Sequence, residues 1–205
     1  MTTKERIVDE ALTLFSVNGF KGTSVKKIAE AVGIKDSSIY KHFTSKTEIL
    51  DAIVGQLNIR MQNLSTTLGL PNEERQEEAA LIYGKLTMEE LQNLSRKVFL
   101  FYLQDEFVSR FWRLAIMEQY QNEEFYEKYR HIFMEDSITY LTSLFTEMVK
   151  QKIFRKTDPE VLAMNFYAPI FFLLTKYSGR PEKVQEALVI LDKQIAEFYE
   201  CYRVK

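Results

Sequence analysis

Apolar residues recur along most of this chain three and four positions apart, the period of a helix buried along one side. Ile7, Ala11 and Leu14 share one such face with Val8, Leu12 and Phe15 beside them, which predicts a first helix over about 3–17, stopped by Gly19. Thr23 or Ser24 can cap a second helix. Val25, Ile28, Ala29 and Val32 follow at i, i+3, i+4 and i+7, and leave Lys26, Lys27 and Glu30 outside. Gly33 interrupts the pattern, Ile34 returns inward, and Asp36 stands where a third helix needs its N-cap. Ile39 and Phe43 lie one turn apart and face the core, so Ser37, Tyr40 and Lys41 face away from it, with Ser38 and His42 at the flanks. Ser45 and Glu48 have the spacing of a capping box and open a fourth helix, carried by Ile49, Leu50, Ile53, Val54 and Leu57 toward Ser65.

The stretch 66–72, with Gly69 and Pro71, is the first strong break. Beyond it Thr87 and Glu90 form another capping box, opening a helix that includes Val98, Phe99 and Phe101. Further helices are expected over about 105–120, from a cap at Asn122 toward Ile153, over 159–178 behind the Asp158–Pro159 cap, and over 182–203 after Pro181. Pro169 falls inside the penultimate helix and should kink it. The pattern predicts an all-α chain of about nine helices.

Composition agrees with that reading. The chain has 205 residues, 46% of them hydrophobic, enough for one domain or two small ones with a sizeable core, and 7 Gly and 4 Pro are too few for an all-β chain rich in turns. The single cysteine, Cys201, can neither staple the fold nor form a CxxC zinc site, and it suits a reducing cytoplasm. No apolar run approaches the ~20 residues a membrane span requires, and the N-terminus lacks the apolar core of a signal peptide. Net charge is −2, which alone argues against nucleic acid. Its distribution changes the picture: residues 21–47 hold Lys21, Lys26, Lys27, Lys35, Lys41 and Lys46 against only Glu30 and Asp36. A basic patch on an acidic body is an electrostatic footprint for DNA, and equally a solvated helix surface.

The spacing of Ala29, Gly33 and Ile39 is that of a helix-turn-helix. A small Ala lets two helices cross closely, Gly supplies positive φ for the turn, and Ile seats the third helix on the second. The first turn of that third helix then projects where it can enter a major groove. A generic three-helix core would give similar apolar spacing. Enzyme chemistry finds little footing: two His (His42 and His131), no metal-ligand spacing, no Gly-rich phosphate loop and no nucleophile elbow. No cofactor is called for.

Taken in order, G-F-x-G-T-S-V-x-x-I-A, V-G-I, S-S-I-Y-x-H-F and S-K-x-E-I-L, running from about Arg6 to Leu50, resemble the N-terminal region of the TetR family of transcriptional regulators. The resemblance implies a DNA-binding domain over 1–47 and a helical effector-binding and dimerisation domain over 48–205. It implies that Thr23 and Ser24 meet phosphate at the start of the second helix with Lys26 nearby. Lys35, Ser37, Ser38 and Lys41 would approach base edges or flanking phosphates, Tyr40 and His42 would touch phosphate, and Lys46 would add a further contact. Bland readings stand beside these: Asp36 and Ser45 as caps only, and His42 as a ring steadying the helix end. The family also implies a homodimer joined through its last two helices, for which Ala187, Leu188, Leu191, Ile195 and Phe198 offer an apolar stripe, unless that stripe packs on its own subunit. A small, largely apolar effector would release a repressor from a palindromic operator by shifting the fourth helix. A ligand-independent regulator, an activator, or a helical interaction module that never meets DNA remain alternatives. Trp112, Met117, Tyr167 and Phe171 are pocket candidates by bulk, each equally readable as core. Glu118, Glu123 and Glu124 hint at a cationic ligand but read more simply as surface glutamates.

Overall fold

The structure is a computed structural model and describes residues 1–71, 75–121 and 123–204, with only the backbone at Glu124. Its elements are α1 (Thr3–Gly22), α2 (Val25–Val32), α3 (Asp36–Ile39), α4 (Lys46–Thr67), α5 (Gln76–Lys85), α6 (Met88–Gln104), α7 (Glu106–Glu118), α8 (Glu123–Arg130), a π-helical turn (His131–Glu135), α9 (Asp136–Lys150), α10 (Pro159–Tyr177), a 3₁₀ turn (Pro181–Lys183) and α11 (Val184–Tyr202). Eleven α-helical segments among the described residues exceed the nine expected, because α5 was not anticipated and the π turn divides one long rod into α8 and α9. The Asn122 cap lies outside the described residues.

The chain divides into two compact units: residues 1–63 with 105–127, and residues 64–104 with 128–204. This division differs from a cut at residue 47, because α7 packs along α1 and so belongs with the N-terminal helices.

In the first unit, Ile7, Val8, Ala11, Leu12 and Phe15 of α1 are buried with Ile28, Ala29 and Val32 of α2, Ile39 and Phe43, and Ile49, Leu50, Ile53 and Leu57 of α4. Each large apolar side chain withdrawn this way contributes about 1.5–3 kcal/mol. Phe107, Val108, Phe111, Leu114 and Ala115 of α7 join the same core. Polar brackets fix the helices at its rim. Arg110 donates to the Asp9 carboxylate at 2.7 Å and also to Thr13 Oγ1. Arg60 donates to Asp105 at 3.0 Å with its guanidinium over the Phe107 ring, and Arg6 donates to the carbonyl of Val32, the last residue of α2.

The second unit is built around α9, α10 and α11 with α5 and α6 against them. Phe198 of α11 sits among Phe145, Phe166 and Tyr202, with ring centroids at 5.6, 5.0 and 4.9 Å, and 5.8 Å from Phe154. The loop after α9 pairs with the end of α11: Arg155 donates to the Tyr202 carbonyl at 2.8 Å and Val204 to that of Ile153 at 2.9 Å. Arg96 of α6 grips Asp192 of α11 through two bonds of 2.7 and 2.5 Å. The capping expectations at Thr87–Glu90 and Asp158 hold, with Glu90 accepting from Thr87 N–H at 2.8 Å and Asp158 from Glu160 N–H at 2.9 Å. α10 runs on through Pro169 from Pro159 to Tyr177.

Candidate nucleic-acid interface

Gly19 ends the regular part of α1 at φ 74°, ψ 166°, a conformation open to glycine almost alone. Ser24 then takes an extended conformation and its Oγ accepts from Lys27 N–H at 3.2 Å, capping α2. The hydroxyl proton remains for an outside acceptor, and the free amides and positive end of α2 lie beside it, an arrangement suited to phosphate. Lys26 is exposed alongside; Lys27, also exposed, donates from Nζ back to the Gly22 carbonyl at 3.1 Å.

α2 closes with a left-handed Gly33 at φ 75°, ψ 35°, while Ile34 N–H reaches the Ala29 carbonyl at 3.0 Å. Ala29 is 1% exposed, so the helices cross against a methyl group. Lys35, extended, occupies the N-cap position that Asp36 was expected to fill; Asp36 is the first helical residue and its Oδ1 accepts from Ser37 N–H at 2.9 Å. α3 is also shorter than the pattern predicted: regular helix covers Asp36–Ile39, and turns carry the chain on, with His42 N–H and Phe43 N–H both donating to the Ile39 carbonyl at 2.9 and 3.0 Å. Lys35, Ser37 and Lys41 are exposed, Tyr40 is 58% exposed, and Ser38 and His42 are half-buried. Ser24 and Lys26 are exposed as well, so α2 and the α3 turn of the first unit both present hydroxyls and lysines to solvent.

Two expected phosphate ligands do not share that exposure. Thr23 is 1% exposed and its hydroxyl donates to the Gly19 carbonyl at 3.0 Å, so it closes the α1–α2 turn from inside. Lys46 Nζ donates to the carbonyls of Phe20 and Thr23 at 2.6 and 2.9 Å and lies 4.3 Å from the Phe20 ring centroid. Desolvation lowers its pKa from the ordinary lysine value, against the opposing charge of Glu118. Glu118 is the residue the sequence concealed. Expected on the surface, it is 3% exposed, and its Oε1 accepts from Phe20 N–H at 2.9 Å. Lys46 and Glu118 therefore hold the two sides of the turn that presents α2. No local signal marks Glu118, since the amide it accepts is 98 positions away in the chain. The Ser45–Glu48 box is half as expected: Glu48 N–H donates to Ser45 Oγ at 3.1 Å, but the Glu48 carboxylate turns to Thr44.

The four pocket candidates fall two in each unit. Trp112 is buried in α7 of the first unit, and Met117 is 40% exposed at the end of the same helix. Tyr167 and Phe171 lie in the second unit with ring centroids 6.0 Å apart. Tyr167 donates to the Phe133 carbonyl, inside the π turn, at 2.5 Å, and Tyr102 packs edge-on to Phe133 at 6.2 Å. Burial raises the pKa of both tyrosines. The dimer stripe is also corrected: Ala187, Leu191, Ile195 and Phe198 are each 3% exposed or less within their own subunit, because α11 turns that face onto α6 and α10. Leu188 beside them is half-buried.

Residues 7–53 match the family described as bacterial regulatory proteins, tetR family. This segment is similar to the N-terminal domain of that family. Over 51 residues it is 47% identical to the biofilm operon icaADBC negative transcriptional regulator IcaR of Staphylococcus aureus strain Newman, covering 25% of this chain and 27% of that one. The chain thus spans about a quarter of the length of the curated relatives it matches. Across nearly its whole length it shares the fold of SmeT, the repressor of a Stenotrophomonas maltophilia efflux pump. The SmeT–triclosan complex superposes with a TM-score of 0.73 at 19% identity, over 100% of this chain and 93% of SmeT. A tetR-family transcriptional regulator from Mesorhizobium loti gives a TM-score of 0.65 at 22% identity, over 98% and 97%.

Proposed function

We propose that this protein is a tetR-family DNA-binding transcriptional regulator, a repressor that leaves a palindromic operator when a small, largely apolar effector binds. The carrying observation is the exposed surface of Ser24, Lys26, Lys35, Ser37, Tyr40 and Lys41 on a two-helix frame within the matched segment. Phosphate contacts from Ser24, Lys26 and Tyr40 would set the register, and Lys35, Ser37 and Lys41 would approach base edges. One such surface binds weakly. Two copies related by a two-fold axis would place their α3 segments in major grooves about 34–36 Å apart.

The second unit supplies a face for that pairing. Val161, Met164 and Phe172 of α10 and Val189 and Ile190 of α11 are 37–63% exposed, an apolar surface fit to meet its own copy. The effector would lodge near the buried tyrosines Tyr102 and Tyr167 beside the π turn, a helix irregularity frequent at functional sites. It would act through α4, which starts at Lys46 in the clasp on the α1–α2 turn. It can shift the DNA-binding equilibrium only by its difference in affinity for the two states. As a regulator the protein would work in the cytoplasm; no helix among the described residues is long and apolar enough to cross a membrane. Selection of bound sequences from a random DNA pool with the purified protein tests this reading. Enrichment of a palindrome is the expected result, and a pool that stays random would overturn it.

A further inference from the structure

The chain turns from α1 into α2 between Gly19 and Thr23, and charged side chains hold that turn by its backbone. Glu118 of α7 accepts from Phe20 N–H at 2.9 Å. Lys46, at the start of α4, donates to the carbonyl of the same residue at 2.6 Å and to that of Thr23 at 2.9 Å. The Thr23 hydroxyl closes onto the Gly19 carbonyl at 3.0 Å. The peptide groups on both sides of Phe20 are thus fixed by an anion that accepts and a cation that donates, and such bonds are stronger than neutral ones. Glu118 is 3% exposed and Lys46 half-buried, and both belong to the first unit with the turn they hold. Lys46 has little left to offer a phosphate: two of its N–H donors are engaged with carbonyls, and its ammonium lies 4.3 Å from the Phe20 ring centroid.

The residue after this turn is Ser24, the cap of α2, whose hydroxyl and neighbouring amides are the phosphate site of the proposed operator contact. The direction of those amides is set by the peptides that precede them, and a binding constellation tolerates errors of only about 0.5 Å or 10–20°. We propose that Lys46 and Glu118 are positioning residues for operator binding: together they aim the start of α2 at a phosphate from behind, and neither touches DNA. This role replaces the phosphate contact that the resemblance implied for Lys46, and it rests on the DNA-binding reading above.

Fluorescence anisotropy with a labelled duplex of the enriched operator, titrated with full-length protein at several salt concentrations, tests the proposal. Stoichiometric titration fixes the active concentration, so a chain that merely unfolds loses amplitude and not affinity. Lys46→Met keeps the stem and removes the donors. It should weaken binding at least about tenfold, the loss expected when charged hydrogen bonds no longer hold their partner, and leave the slope of log K against log salt unchanged. Lys26→Ala is the contrast, losing affinity and slope together. Glu118→Leu should weaken binding to a similar degree, again at constant slope. In its background Ser24→Ala should cost less affinity than in the parent, whereas Lys41→Ala, beyond α3, should cost the same. Should Glu118→Leu fail to fold, Lys46→Met carries both arms, since Ser24→Ala must couple to it as well. A slope that falls in Lys46→Met as it does in Lys26→Ala would make Lys46 a phosphate ligand and overturn the proposal. Parental affinity in the variants would overturn it too, as would tighter binding, the result of simply removing a repelling charge at Glu118, or full additivity with Ser24→Ala. A parent that binds no enriched sequence would overturn the DNA-binding reading itself, whereas a binding parent with indifferent variants overturns this proposal alone.

Discussion

Replacing Gly19 by Ala tests how the turn before α2 is held. At φ 74°, ψ 166° an alanine pays about 1–3 kcal/mol in backbone strain. Its Cβ would also stand 2.9 Å from Glu118 Oε1, the atom that accepts from Phe20 N–H. Moving a buried carboxylate off that bond adds about 1–3 kcal/mol. The sum, about 2–6 kcal/mol, should lower the urea midpoint by roughly 1–3 M at the slopes usual for a chain of this size. Gly33 is the internal control. It too has positive φ, 75°, but at ψ 35° and with no atom within 4 Å of an added Cβ, so Gly33→Ala should cost only about 1–2 kcal/mol. Urea unfolding followed by far-UV circular dichroism at fixed protein concentration measures both. Adding Glu118→Ala should reduce the penalty of Gly19→Ala, a coupling that a double-mutant cycle reads directly. Equal costs at the two glycines, or no coupling to Glu118, would refute the claim that the carboxylate packs against the turn.

Lys26→Ala should weaken operator binding by anisotropy and reduce the slope of log K against log salt by about 1, as loss of one phosphate contact requires; an unchanged slope would move Lys26 off the backbone. Phe172→Glu, at a side chain 63% exposed on α10, should turn the proposed dimer into a monomer by light scattering without lowering helix content. Arg96→Lys should lower the melting temperature, because an ammonium cannot reproduce the paired bonds to Asp192; a thermal melt checks it. Stability should fall as pH rises above about 10. Burial holds Tyr83, Tyr102 and Tyr167 above the usual tyrosine range and pushes Tyr199 up to about 12. These groups stay protonated in the fold where the unfolded chain has lost its protons, so their contribution is full below pH 10 and is lost toward 12. Lys46, whose pKa is lowered, acts in the opposite direction, and a net gain in stability over that window would refute the tyrosine burial.

What this sequence determined by itself lies in local patterns. Ile28, Ala29, Val32, Ile39 and Phe43 are all buried as their helical spacing required, and Ser24, Thr87 and Asp158 cap the helices that follow them. These outcomes depend on residues within one or two turns of one another, so periodicity and capping chemistry suffice to predict them. The exposure of Ser37, Tyr40 and Lys41 follows for the same reason: once Ile39 and Phe43 face inward, the positions a quarter of a turn or more around the helix from Ile39 face out. What only the tertiary structure decided involves partners distant in sequence. Thr23 is a hydroxyl in a polar run and reads as surface until α1 bends over it at Gly19. Lys46 reads as a free cation until two carbonyls more than twenty residues away are brought to its ammonium. Glu118 reads as one surface glutamate among several until α7 lies along α1 and buries it against the turn. The stripe from Ala187 to Phe198 shows the same limit from the apolar side. Its spacing specifies a buried face but not what buries it, and the aromatic cluster around Phe198, drawn from α9, the loop after it, α10 and the end of α11 itself, is what closed it within its own subunit.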